Sequence, residues 1–140
     1  MTQPLVVDAS AVVELLLRRP PARQIEEHLA SFEAFAPELV DLEVLHVMAR
    51  LERAGVVSAT HACEAVALTI GLPIRRVRHA ALVPRAFALR HNVSTYDASY
   101  VALAEALDAS ILTMDARLAR APLSVGVVLV TRAGGGGSGG

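Results

Sequence analysis

Asp8 directly follows the apolar β-branched run Leu5-Val6-Val7, and Asp115 directly follows Ser110-Ile111-Leu112-Thr113-Met114. Asp97 opens the alanine-rich segment ASYVALAEALDA, immediately ahead of that second run. If both runs are strands of an open parallel sheet, the three carboxylates gather at its carboxyl edge, where such sheets take their ligands. Each aspartate alone also fits a helix N-cap. Three at one edge go beyond capping, the more so because Ser10 stands ready to cap the first helix. Glu43 is a fourth candidate. In ELVDLEVLHVMARLERA, Glu43, His46, Arg50 and Arg53 share one helical stripe below Leu39, while Glu38, Asp41 and Glu52 occupy another arc. A solvated face with a Glu–His contact explains that stripe; so does a carboxylate aimed at the strand edge with arginines beside it for a polyanion. Hard oxygen donors without lysine or cysteine suit magnesium or manganese. Like charges collected at one edge repel, and a cation relieves them. A divalent ion there would activate water and stabilise a phosphoryl transition state, so phosphodiester hydrolysis is the chemistry these residues serve best.

The elements that must position them alternate. Leu5-Val6-Val7 reads as a strand and AVVELLLRR as a helix stopped by Pro20-Pro21. PARQIEEHLA reads as a second helix and Phe32 to Ala36 as a short strand. Pro37 suits the first turn of the long helix that carries Glu43, which Gly55 ends. Ser58 caps ATHACEAVALTI, and Gly71 stops it. Leu72 to Val77, with its arginines, reads as an edge strand, and HAALVPRAFALRH as a helix ended by Asn92. After the Asp97 helix and the second strand come a short helical ARLAR and a last apolar strand, Gly126 to Val130. The pattern predicts an α/β domain with four or five mainly parallel strands and no second domain.

Composition narrows the chemistry. The chain has 140 residues, 54% hydrophobic and 19% charged, which excludes intrinsic disorder. Residues 1–133 are expected to form one domain, and GGGGSGG, Gly134 to Gly140, an engineered flexible linker. All 13 basic residues are arginine, which removes P-loop and Schiff-base sites that need an ammonium. The single cysteine, Cys63, excludes an internal disulfide and a multi-cysteine zinc site and fits a reducing cytoplasm; within THACEAVAL it reads as a packed apolar side chain. No apolar run approaches the length of a membrane span, and no secretory leader is evident. With a net charge of −1, a polyanion partner needs a local basic patch. Arg50, Arg53 and the Arg75-Arg76-Arg78 cluster are the candidates for phosphate contacts.

Taken in order, VVDASAVVELL, APELVDLEV, STYDASYVALAEAL and ILTMDARLA resemble the PIN-domain ribonucleases, especially the VapC toxins of bacterial VapBC toxin–antitoxin pairs. The likeness runs from Leu5 to about Arg120, and YDASYVALAEAL followed by LTMD is its most specific part. The resemblance implies a PIN-like three-layer α/β/α fold and a magnesium-dependent endoribonuclease, with manganese as the other option. Its acidic quartet falls on Asp8, Glu43, Asp97 and Asp115. Asp8 and Asp97 match the usual direct metal ligands; Glu43 and Asp115 match acids that act directly or through water. Ser10 and Thr113 match small hydroxyl residues that support the site from behind. The resemblance also implies an RNA substrate, a cognate VapB-type antitoxin and a homodimer. Other folds with an aspartate at a strand end, the haloacid-dehalogenase-like phosphatases and receiver domains, use a lysine this chain lacks; the phosphatases also want an aspartate where Ser10 stands. The alternative from another class is a non-catalytic PIN-like module that binds RNA or a protein.

Overall fold

The structure, a computed structural model, describes residues 2–132. The Gly/Ser stretch lies outside the described residues. Five strands form one parallel sheet in the order β3-β2-β1-β4-β5. They are β1 (Gln3–Val7), β2 (Phe32–Pro37), β3 (Ile74–Val77), β4 (Ser110–Thr113) and β5 (Val127–Leu129). Two helices, α1 (Ala9–Leu17) and α2 (Ala22–Ser31), link β1 to β2, and α3 (Leu39–Arg53) and α4 (Ala59–Thr69) link β2 to β3. A 3₁₀ turn (His79–Ala81), α5 (Val83–Ala88) and α6 (Thr95–Leu107) lead to β4, and α7 (Ala116–Arg120) leads to β5.

Parallel strands with right-handed crossovers put successive connections on one face until the strand order reverses. The chain steps outward from β1 through β2 to β3, then jumps back over β1 to β4. Helices α1 to α4 therefore form one layer, and α5, α6 and α7 belong to the other. Leu5, Val6 and Val7 are all buried, as a strand covered on both faces requires. Ile111, Leu112 and Thr113 repeat the pattern in the neighbouring strand. The reversal falls between β1 and β4, and it leaves a crevice at their carboxyl ends.

The expected elements form, with shifts that have physical causes. Pro37 ends β2, pairing with Val77, and α3 starts two residues later behind Glu38. Met114 lies beyond β4, because its N–H donates to the Ser10 hydroxyl at 2.9 Å. Residues 79–91 do not form one helix: the 3₁₀ turn and the short α5 meet at Leu82, and Pro84 occupies the first turn of α5. Gly55, at φ 74°, ends α3 in the left-handed region that favours glycine. Ser58 caps α4 as expected, accepting from the His61 N–H. Cys63 is exposed on α4, because Ala62 and Ala65 supply the buried face. β3 is the sheet edge, but its arginines differ in role. Arg76 turns back to donate to the carbonyls of Thr69, Leu72 and Ile74 and to Asp41, and Arg75 pairs with Glu33. Arg76 is thus spent within the fold and is not free for phosphate.

Candidate active site

The crevice holds a groove of about 650 Å³ lined by Asp8, Glu43, Asp97 and Asp115, with Arg50 and Arg117 among its walls. All four expected acids meet there, each brought by a different element. Asp8 sits at the end of β1 and is 8% exposed. It, not Ser10, caps α1: its Oδ1 accepts from the Ala9 N–H at 2.9 Å. Ser10 Oγ and Thr113 Oγ1 both donate to Asp8 Oδ2, at 2.8 and 2.7 Å. The two hydroxyls accept in turn from the N–H groups of Met114 and Asp115, at 2.9 Å each. Ser10 and Thr113 therefore lock the Asp8 carboxylate and tie the ends of β1 and β4 together.

Glu43 enters from one turn inside α3. The Tyr100 hydroxyl, fully buried on α6, donates to Glu43 Oε1 at 2.6 Å. That bond clamps α3 to α6 across the crevice. Sequence reading missed Tyr100, since an aromatic in an alanine-rich helix looks like core; its place one turn after Asp97 was the available signal. Asp97 lies in the first turn of α6 rather than at its start, because Ser94 is the cap. Its carboxylate is thereby free of capping duty and half-buried beside the groove. Asp115 caps α7 through the Arg117 N–H at 2.9 Å, and its oxygens also face the Arg117 guanidinium at 3.3 and 3.4 Å. Arg117 is the second residue the sequence reading missed.

Proton affinities report the crowding. Burial raises the Asp8 pKa against the pull of the Thr113 and Ser10 hydroxyls, and the charge of Asp97 adds to the rise. Burial likewise raises Glu43, opposed by Tyr100 and reinforced by Asp8 and Asp97. Tyr100 is pushed up by burial and by the charges of Glu43 and Asp8, so it stays a donor. Asp115 differs: burial raises it, but the Arg117 hydrogen bonds and charge outweigh this and leave it lowered. Asp8, Glu43 and Asp97 are thus a mutually repelling group, and Asp115 has its own counter-ion. Of the stripe on α3, His46 and Arg50 line the groove and Arg53 does not. Arg50 lies about 10 Å along the helix from Glu43 and Arg53 about 15 Å, beyond the end of the groove.

The four acids offer only oxygen donors, and neither lysine nor cysteine lines the groove beside them, so they fit a hard divalent ion. Among the described residues no three such side chains close on one point as a finished chelate. A groove of this size suits an ion that keeps part of its own water, as magnesium does.

An all-parallel α/β sheet with carboxylates gathered at its reversal point is the arrangement expected of a metal-dependent phosphoryl-transfer site. Comparison with known proteins makes the class specific. The PIN domain matches residues 5–123. The VapC ribonuclease Mb0985 of Mycobacterium bovis is 37% identical over 126 residues, covering 86% of this chain and 97% of its own. Ribonuclease VapC1 of Mycobacterium tuberculosis is 40% identical over 119 residues, covering 84% and 90%. Among solved structures, VapBC2 of Rickettsia felis, bound to a DNA fragment from its promoter, superimposes with a TM-score of 0.67 at 11% identity, over 91% of this chain and 99% of that one. The chain belongs to the PIN-domain family and, within it, to the VapC ribonucleases, the toxins of type II toxin–antitoxin systems. Ribonucleases of this family are typically metal-dependent. Among the described residues, no helix is long and apolar enough to cross a membrane.

Proposed function

We propose that this ribonuclease hydrolyses RNA phosphodiester bonds at the crevice, with magnesium, or manganese in its place, held by Asp8, Glu43, Asp97 and Asp115. The observation that carries the reading is the convergence of Asp8, Glu43 and Asp97 in one groove, each with a different degree of constraint. A divalent ion bound there would neutralise the acids, activate water and offset charge on the phosphoryl group. Asp8 is held rigid by three donors, so it supplies a fixed carboxylate. Tyr100 fixes the Glu43 carboxylate by donating to it while keeping its own proton, and Asp97, free of capping, can adjust. Arg50, on the groove wall, binds backbone phosphate; Arg53, off the groove, does not. Such a site needs no covalent attachment to the protein.

The cognate partner is a VapB-type antitoxin that presents a cationic segment to the acidic groove, where an arginine replaces the charge compensation of the ion. Val83 and Phe87 on α5 remain exposed and give the homodimer apolar surface to draw on. Both readings place the protein in the cytoplasm with its RNA. Cleavage of a labelled single-stranded RNA, followed by end analysis, tests the reaction. Activity in magnesium that chelator removes, with 5′ phosphate and 3′ hydroxyl ends, is expected. Cyclic phosphate ends would mean that the neighbouring 2′ hydroxyl, not water, attacks, and would overturn the proposal. A protein that binds this RNA without cutting it would instead be the non-catalytic module.

A further inference from the structure

Arg117 stands in the groove with its side chain 84% exposed, and among the described residues its guanidinium touches only Asp115, at 3.3 and 3.4 Å. The shorter bond to Asp115, 2.9 Å, comes from the Arg117 backbone N–H and is the cap of α7. The side chain is therefore not needed for the cap, and little packing holds it. While it stays, both Asp115 oxygens are covered by a cation. The groove needs that cation elsewhere. Four carboxylates line it against two arginines, Arg50 on α3 and Arg117 on α7, so before an ion binds the groove is net negative and a phosphodiester gains from a cation that can reach it. Asp97 lines the same groove as Arg117. A planar guanidinium on a flexible stem, held by a long and exposed ion pair, is well suited to exchange a carboxylate for a phosphate.

We propose that Arg117 is a substrate-binding residue: on RNA entry its guanidinium passes from Asp115 to the phosphate beside the bond that is cut, and frees Asp115 to face the site. This rests on the hydrolytic reading above. The test uses the full chain carrying Asp97→Asn as the non-cleaving parent and a short labelled single-stranded RNA of mixed sequence, with affinity measured across a salt series. Adding Arg117→Ala is expected to weaken binding and flatten log K against log salt by about 0.7, one phosphate contact on a single strand. Arg117→Lys should keep the slope and lose part of the affinity, since one charge survives without the fork. Arg120→Ala, on the same helix but off the groove, should change neither.

Unchanged affinity and slope in Arg117→Ala, with only melting temperature or magnesium affinity altered, would show Arg117 to be merely the counter-ion of Asp115 and overturn the inference. The two readings fail separately. Cleavage by the Asp97→Asn parent would sink the hydrolytic reading, whereas the Arg117 result is read from binding alone. Absence of any RNA binding by that parent at low salt would overturn both.

Discussion

The acids at the crevice differ in what holds them, and the roles proposed for them follow that difference. Asp8 accepts from one backbone N–H and two hydroxyls, Glu43 accepts from one phenol, and Asp115 is shared between a helix cap and a guanidinium. Tyr100 is the most informative of the supporting residues, because it touches Glu43 and fills the core at once. In Tyr100→Phe the ring still packs, but Glu43 loses the phenol that donates to it. Cleavage is expected to fall about 10- to 100-fold, the usual cost of removing an outer partner from a metal-site ligand. Turnover of a labelled RNA, compared at saturating magnesium, measures it; a wild-type rate would mean the hydroxyl serves folding alone. Asp8 and Asp115 are legible in the sequence because each follows an apolar run, and Asp97 because it opens an alanine-rich segment just ahead of the second of those runs. Tyr100 and Arg117 are not, since a phenol among alanines and an arginine on a short helix look like core and surface.

At the scale of elements, α3 is the one whose placement matters most, for Glu43 lies one turn from its start. That start has no side-chain cap of its own; the Leu39 N–H donates to His79 Nε2 at 2.9 Å, and the Glu38 N–H to the Val77 carbonyl at 2.9 Å. Farther along, Arg76 binds Asp41. The edge strand β3 and the turn after it thus hold the first turn of the helix that carries Glu43. His79→Ala is expected to destabilise the protein by about 1 kcal/mol, the order of other helix-cap losses. Denaturant unfolding would show it as a lower midpoint at unchanged slope. An unaltered midpoint would mean that β3 alone positions α3. Periodicity revealed α3 and its polar stripe, but not how far the groove runs beneath it, which is why Arg53 read like Arg50. The arginines of β3 also read alike; only the fold separates Arg76, bonded to three carbonyls, from its neighbours. The helix expected over 79–91 breaks at Leu82, where the chain turns from the sheet edge toward α5.

In the whole molecule, the reversal of strand order brings repelling carboxylates together, and stability must register it. Asp8 and Glu43 hold their protons more tightly when folded than at their ordinary pKa values of 3.8 and 4.5. Their contribution is full below those values and lost as pH rises through the raised ones. Asp115 and Glu105, lowered by their arginines, act oppositely: their contribution is present above the ordinary values and lost as pH falls through the lowered ones. In chelator the melting temperature should therefore peak at mildly acidic pH and decline toward neutrality. Glu43→Gln should flatten that decline, and so should magnesium, which favours the ionised acids. A melting temperature that rises steadily to neutral pH would mean that neither burial nor mutual repulsion raises these acids. The central claim is that these carboxylates cut RNA, and cleavage by Asp97→Asn tests it most directly. The amide keeps the shape of a side chain that caps nothing, so the fold should survive, as circular dichroism would show. At saturating magnesium the variant is expected to give no detectable cleavage of a labelled RNA that the wild type cuts. Cleavage by the folded variant at the wild-type rate would contradict it.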